Sequence, residues 1–556
     1  MARIFRQLCH LCQNESHLVN EGWKFVIEVE VHQQLRAFLR EQGKPYWSHH
    51  LTMARLVARA LRLGRSALMQ TDALSRYQGR YRLSYLVPVL MWQGPVILVA
   101  TEAVQQRLLM VEIPQLRQWI QTPKPIRTGD RFPDTGFQGL LLTTPESWLS
   151  DRLHQQGRFP EGIPTILDGV DDLEAWTQDQ LTSRIQPGDW DELMLACPDH
   201  AETVRDARVQ LTKTIFQRPP NPYDCYLLEP YEQNILNTFF ADLQNSPSSS
   251  PAIQEHSSLH PLSSILHSCD LPPSWKGFWQ SLQAGNRLVW ANIARRQGQF
   301  SLNCGPVEIA SALSSIWSQQ PVVLIGGALD LDTDASVYRQ RVGLTDLTCL
   351  KFSSDRQDEL IQLYIPDRLP MPNTPEFQQA LIQEMHTLLR VSSSAQGLTV
   401  LLVGDVPLKA QVGSVLASEF GSRVQVERTC LDENGVLVTG WEFWQQHQSV
   451  LPAPQLLAIA TLPIPSLENP LVAGRVAYYK QQRQDWFRLY LLPEALSELQ
   501  RAIAPIREHQ GIVALLDSRV VHRNYGHQVL TALNPLARLS YLDASLFSHP
   551  NCSILD

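Results

Sequence analysis

The stretch Thr374–Asp405, TPEFQQALIQEMHTLLRVSSSAQGLTVLLVGD, decides the fold class. Its first half, TPEFQQALIQEMHTLLR, reads as an amphipathic helix, and its second, GLTVLLVGD, as a short apolar run closed by turn residues. A run of that length has no polar face, so it reads as a strand covered on both sides, as in a parallel sheet whose strands alternate with helices. The texture repeats outward. Toward the C-terminus come LLAIATLPIP (Leu456–Pro465) and GIVALLD (Gly511–Asp517). Toward the N-terminus come PVVLIGGALD (Pro321–Asp330), PTILDGV (Pro164–Val170), GLLLTTP (Gly139–Pro145), PVILVAT (Pro95–Thr101), YLVPVLMW (Tyr85–Trp92) and SALMQ (Ser66–Gln70). The class expected is α/β.

A helix-rich entry, VHQQLRAFLREQG and LTMARLVARALRLG, precedes the first run. Between Asp172 and about residue 280 the pattern turns helical, then gives way to NSPSSSPAIQEHSSLHPLSS (Asn245–Ser264), too poor in apolar residues to order itself, so a mobile insertion is expected there. No internal repeat of fixed period is present.

At 556 residues the chain has room for two to four domains of about 150 residues each. Hydrophobic residues at 44% and charged residues at 18% are ordinary for a globular protein, which excludes a fibrous or disordered chain. The net charge of -8 does not advertise nucleic acid, but its distribution does. Residues 31–131 hold 15 Lys and Arg against 5 Asp and Glu, while the remainder holds 32 against 50. Only 8 of the 47 basic residues are Lys, and Arg is the better fork for phosphate oxygens. Arg55, Arg59 and Arg62 recur at i, i+4 and i+7 on one helical face, which suits either a phosphate track or pairing with the acidic remainder.

Nine Cys are too sparse for a disulfide framework, and a reducing compartment fits them. MARIFRQLCHLCQNESH has no apolar run of signal-peptide length, and the apolar stretch Ser84–Ala100 is interrupted by Pro88, Gln93, Gly94 and Pro95. A cytoplasmic protein with no membrane partner is expected. Cys9, His10 and Cys12 make half of a zinc site and lack a second pair. DLDTD (Asp330–Asp334) starts like a calcium loop but has Ala335 in place of the turning glycine.

In order, the strand ends resemble the DinG/XPD-like superfamily-two DNA helicases, which carry two RecA-like, P-loop-type domains with ATP in the cleft between them. HHLTMARLVARAL (His49–Leu61) is similar to the helical segment before the phosphate loop, and PVILVATEAVQQRLL to motif Ia. GLLLTTPESWLSDRL is similar to the element upstream of the Walker B strand, which makes Thr144 a candidate nucleic-acid contact beside Arg55, Arg59 and Arg62. TILDGVDDL stands where the acidic box lies, VVLIGGAL where the SATL motif lies. The closing half continues through GWEFW, AIATLPIPSLENPL and LPEALSELQRAIAPIREHQGIVALLDSRVVHRNYG (Leu492–Gly526), ending in Asp517, Arg519, Tyr525 and Gly526. The resemblance covers roughly residues 31–540.

That resemblance implies ATP and Mg²⁺ as cofactors, yet the boxes are eroded where they would bind. A phosphate loop needs glycine-rich backbone and a lysine. TDALSRYQGRYRLS offers one glycine, Gly79, and no Lys occurs between Lys44 and Lys124, leaving Arg80 or Arg82 as substitute charges or as packing residues. Asp168 keeps the Mg²⁺ position, but Gly169 replaces the glutamate that would activate water, and Asp171 and Asp172 lie three and four residues on, where they suit a helix start. Motif VI keeps Gln500 and Arg507 while Ala504 replaces its first arginine. Phe443 and Trp444 read as core before base-stacking residues. No Cys occurs between Cys12 and Cys197, so the family's iron–sulfur cluster is not expected.

The expected organisation is an N-terminal tail (1–30), a first RecA-like domain in two parts (31–172 and 281–345), a helical, partly disordered insertion (173–280) and a second RecA-like domain (346–556). Three functions are compatible: a helicase-family protein binding single-stranded DNA, another nucleic acid or a protein partner with ATP hydrolysis weak or lost; an active ATP-dependent helicase with substituted motifs; or a non-enzymatic interaction scaffold. Loss of cradle, base and one finger favours the first over the second, and the basic N-terminal balance favours it over the third.

Overall fold

The computed structural model describes residues 27–43, 47–120, 123–244, 271–345, 347–352, 360–392, 397–432, 434–539 and 541. The CHLC half-site and the stretch Asn245–Ser264 lie outside them. Strands β1 (Ala67–Gln70), β2 (Val96–Val99), β3 (Ile126–Thr128), β4 (Leu140–Thr143) and β5 (Thr165–Asp168) come first. Four more, β6 (Ser183–Ile185), β7 (Cys225–Leu227), β8 (Arg287–Ala294) and β9 (Gln299–Pro306), lie in the insertion. The chain then returns through β10 (Val322–Gly326) and β11 (Thr348–Lys351) to a seven-stranded parallel sheet in the order β11-β1-β10-β5-β2-β4-β3. The second half supplies β12 (Ile361–Tyr364), β13 (Leu398–Leu402), β14 (Val424–Val426), β15 (Val436–Thr439), β16 (Pro454–Ile459), β17 (Ile512–Leu515) and β18 (Leu536–Leu539). These form a second seven-stranded sheet in the order β14-β15-β13-β16-β17-β12-β18, again parallel in every pairing.

The apolar runs become strands because both sheet faces are covered. On β2, Ile97 and Val99 join one core while Val96 and Leu98 join the opposite one, and β4 divides Leu141 from Leu140 and Leu142 in the same way. Helices Ile27–Gln42, His50–Leu63 and Arg82–Met91 cover the first face; Pro145–His154 and Ala310–Trp317 cover the second. The two-layer covering recurs in the second half. This is the α/β architecture expected.

Two expectations are corrected. YLVPVLMW is not a strand: it lies in the buried helix Arg82–Met91, with Pro88 inside it. An all-round apolar run fits a buried helix as well as a buried strand, and here it packs between the sheet and the N-terminal helix pair. The insertion is not wholly helical either. Its helices pack on an antiparallel sheet in the order β6-β9-β8-β7, and the hairpin β8–β9, whose residues fall in the expected return segment 281–345, pairs inside it. Trp190, Trp275, Phe239, Phe240 and Phe300 fill its core, with Trp190 meeting Trp275 edge-on at 4.7 Å. Cys197 in this unit is disulfide-bonded, although the nine Cys are too sparse for a disulfide framework.

Candidate active site at the domain cleft

Register places Gln70 opposite Gly326 and Asp168 opposite Ile325, so β1, β5 and β10 end together. The crevice above such strand ends is where open α/β sheets bind ligands. In this chain it is filled. After β1 the backbone turns at once into a short helix, Ala73–Gln78, whose N-cap Asp72 accepts from the Ser75 amide at 2.6 Å. The amides of Arg76, Gly79 and Arg80 are bonded to Asp72, Arg76 and Ser75 carbonyls. Gly79 closes the helix at φ +69°, and a Cβ there would collide with the guanidinium of Arg82, which folds over it.

Arg82 leads to Asp168. Its Nε lies 3.4 Å from Asp168 Oδ2, and Glu112 stands 4.0 Å from its other end. Asp168 is 4% exposed. The Tyr85 hydroxyl donates to its Oδ2 at 2.7 Å and the Tyr81 hydroxyl to its Oδ1. Burial, and then the facing Asp168 charge, push both phenols well above their ordinary pKa, so they remain neutral donors. Both carboxylate oxygens are therefore taken up by protein.

Gly169 adopts φ +88°, where a side chain is strained, and a Cβ would stand 3.4 Å from the Arg76 guanidinium. Asp171 is buried; it accepts from the amides of Gly327 at 3.0 Å and Ala328 at 2.6 Å and meets Arg76 Nε at 2.6 Å. Burial alone would raise its carboxyl, but Arg76, Arg501 and the two amides outweigh that and hold it below the usual range. Asp172 pairs with Arg76 at 2.7 Å and with Arg501 of the second domain at 2.6 Å, while Arg501 also donates to the Asp171 carbonyl at 2.9 Å.

More contacts cross the same gap. Arg341 meets Glu174 at 2.9 Å and also Glu494 of helix Leu492–Ala502. The Tyr77 hydroxyl donates to the Gln448 carbonyl at 3.2 Å, and Gln78 donates to Glu508 at 2.7 Å. Glu498 accepts from Gln445; burial pushes its carboxyl up to about 7, Arg501 opposing and Glu494 and Asp172 adding to the rise. A residual cavity of about 270 Å³ is left, lined by Arg76, Tyr77, Asp172, Gln445, Gln448 and Arg501 among others.

Residues 452–536 match the helicase C-terminal domain family. The ATP-dependent DNA helicase YoaA of Haemophilus influenzae is 24% identical over 251 residues, 42% of this chain and 39% of that protein. Its Escherichia coli namesake is 21% identical over 255 residues, 43% and 40% of the two chains. An XPD helicase structure superposes with a TM-score of 0.57 at 12% identity, covering 89% of this chain and 100% of its own. The structure of S. tokodaii Xpd4 gives 0.56 at 12% identity over the same shares. The chain is similar to the DinG/XPD-like superfamily-two helicases, in sequence over these matched stretches and in fold over most of its length. Its match spans about two-fifths of the length of those curated relatives.

Set against this DinG/XPD-like frame, the expected site residues divide. Gly79, Arg82 and Asp168 converge, on one another rather than on open space. Arg80 is exposed beside them, and Gln500 is half-buried on the helix that carries Arg501. Arg507 is 5% exposed and donates to the carbonyls of Leu533, Asn534 and Pro535, stapling the turn into β18. Thr144 caps helix Pro145–His154 by accepting from the Ser147 amide at 3.2 Å. Arg55 is exposed and Arg59 half-buried, both on the outer helical layer, whereas Arg62 grips Glu28 with two nitrogens at 2.7–3.1 Å. Trp444 is buried and donates to the Ala502 carbonyl at 3.0 Å, as core; Phe443 stacks on His447 at 4.1 Å. Asp517 takes the Arg519 fork and the Leu462 amide. Tyr81, Tyr85 and Arg501 were not singled out by sequence, and Arg76 and Arg341 stood out only as one arginine of a basic run and as the residue that spoils a calcium loop; the i, i+4 spacing of the two tyrosines signalled a shared face.

Proposed function

We propose that this chain is a DinG/XPD-like protein that binds single-stranded nucleic acid without turning over ATP, and that it works in the cytoplasm. The observation that carries the reading is Asp168 held between Tyr81, Tyr85 and Arg82. A Mg²⁺-bound triphosphate needs that carboxylate facing water, a nest of free amides, a cation on the terminal phosphate and a base beside the attacking water. Here the carboxylate is capped, the helix Ala73–Gln78 stands in place of the nest, and Gly169 stands in place of the base. The residues present do not fit the cofactor. Nucleic-acid binding is supported by the basic balance of residues 31–131 and by the DNA helicases to which the chain is similar. None of the described helices is long and apolar enough to cross a membrane.

Calorimetry with ATP and Mg²⁺, and phosphate release with and without single-stranded DNA, test the first half. No binding heat and background release are expected. DNA-stimulated release abolished by Asp168→Ala would overturn it and restore the active helicase. Fluorescence anisotropy with a labelled oligothymidylate tests the second half.

A further inference from the structure

The two N-terminal helices, Ile27–Gln42 and His50–Leu63, pack as an antiparallel pair on the outer face of the first sheet. Glu28 gripping Arg62 fixes their register at one end. Moving inward from that pair, His32 lies within the electrostatic reach of Arg36 on its own helix and of Arg55 on the other, and Arg59 follows Arg55 one turn on. Arg40 continues the row one turn further. Arg36, Arg40 and Arg55 are exposed and Arg59 is half-buried. Among the described residues none of the four has an acidic partner within ion-pair reach, whereas Arg62, Arg76, Arg82, Arg341 and Arg501 all do. The second helix carries no acid; on the first, Glu28 is engaged by Arg62, and Glu30 and Glu41 form no ion pair with these arginines among the described residues.

His32 lies within this seam with its Nδ1 buried and lacking a hydrogen-bond partner among the described residues. Its pKa is held below the ordinary value by burial first, then by Arg55 and Arg36. Cations from both helices therefore meet without an ion pair to neutralise them among the described residues, an arrangement that suits an anion. Arginines four apart on one helix are separated by about 6 Å along its axis, so the seam presents charge at a short regular repeat.

We propose that this seam, Arg36, Arg40, Arg55 and Arg59 with His32, is a phosphate-backbone track for single-stranded nucleic acid, lying on the helical layer of the first domain and separate from the domain cleft. It deepens the nucleic-acid reading above and rests on it. A phosphodiester chain is favoured over an acidic protein segment because the seam lacks the apolar or aromatic anchor on which protein interfaces depend. The exposed large hydrophobics of these helices, Val29 and Leu63, lie at the far end beside the Glu28–Arg62 pair. A backbone of phosphates needs only charge and donors.

The test uses the full chain, a labelled oligothymidylate and a salt titration. Each phosphate contact on a single strand contributes about 0.7 to the slope of log affinity against log salt, so Arg36→Gln with Arg55→Gln and Arg59→Gln should flatten that slope by about 2 and weaken binding at low salt. The melting temperature should stay near the parent's, since no ion pair is removed. If the glutamine variant melts early, the corresponding triple lysine variant, which keeps the charge, must retain the parent slope; loss of the slope there overturns the track. Unchanged affinity and slope in the glutamine variant overturn the track while leaving nucleic-acid binding in place. A parent that ignores the oligonucleotide at low salt overturns the underlying reading, and if it then binds polyglutamate through these arginines the seam belongs to an acidic protein instead.

Discussion

Replacing Asp168 by Asn should destabilise the first domain, which is not what removal of an exposed metal ligand does. The carboxylate accepts from two buried phenols and stands 3.4 Å from the Arg82 Nε. Asparagine keeps one accepting oxygen and turns an amide toward the other phenol, so one hydrogen bond to a charged group is lost, at about 1.5–3 kcal/mol. Arg82, 8% exposed, also loses its nearer counter-charge. Breaking a buried pair costs about 3–5 kcal/mol, but Glu112 at 4.0 Å keeps part of that attraction. A net loss of roughly 3 kcal/mol corresponds to about 6–12 °C for a domain of this size. The assay is calorimetry of parent, Asp168→Asn, Tyr85→Phe and the double variant, with the first-domain transition followed by itself because a multidomain chain is not two-state. Carboxylate and phenol act on one bond, so the double variant should fall short of the sum of the singles by about 1 kcal/mol or more. A variant that melts at or above the parent temperature, with additive singles, refutes the structural role of Asp168.

Restoring the acidic pair by Gly169→Glu should not revive ATP hydrolysis: at φ +88° it should cost about 1–3 kcal/mol of stability and leave phosphate release at background. Arg501→Ala removes one of the two guanidiniums on Asp172, and small-angle scattering should show a larger radius of gyration as the two RecA-like domains part; an unchanged curve would show that Arg341 and the Tyr77 and Gln78 contacts suffice. Glu498, with its folded pKa of about 7 above the ordinary glutamate value, takes up a proton on folding between the two, so its favourable share is complete in acid and lost as pH rises through about 7. Urea titrations should therefore show Glu498→Gln more stable than the parent above pH of about 7, by up to about 3 kcal/mol, with the advantage fading below pH of about 5. An advantage independent of pH would point to packing instead.

The α/β class was legible because strands such as Ile97–Val99, Leu141–Thr143 and Leu398–Leu402 have no polar face, a signature of sheets covered on both sides. Tyr85–Met91 carries the same signature as a helix, and only its neighbours in space separate the two cases. The insertion sheet was harder to see because its strands β6 and β7 are three residues each and the alternation along β8 is partial. At the cleft, departures from the family's boxes were legible in the sequence: the missing lysine and Gly169 are visible without a structure. Groups that fill a void were not, since Tyr81, Tyr85 and Arg76 acquire their meaning from Asp168 and Asp171, some 90 residues away in the chain. Arg507 shows the converse. It occupies a motif position, yet its fork is directed to backbone carbonyls that no local pattern reveals.

The filled cleft also bears on how such a protein could be controlled. A ligand shifts a conformational equilibrium only by its differential affinity for the two states. In an ATP-driven relative the nucleotide lies between two RecA-like domains and can favour their closure. In this chain Arg76, Asp172 and Arg501 occupy that gap, and Arg341 between Glu174 and Glu494 forms a second bridge across it. Such partly buried ion pairs add little net stability by themselves, but loss of one partner leaves the other charge uncompensated, which makes the closed arrangement costly to leave. If no nucleotide binds, as proposed above, closure written into side chains would not follow nucleotide concentration. Glu498, bonded to Gln445 of its own domain and with its carboxyl pushed up by burial to about 7, lies beside Arg501, so the strength of the Arg501–Asp172 bridge is the quantity to follow against pH.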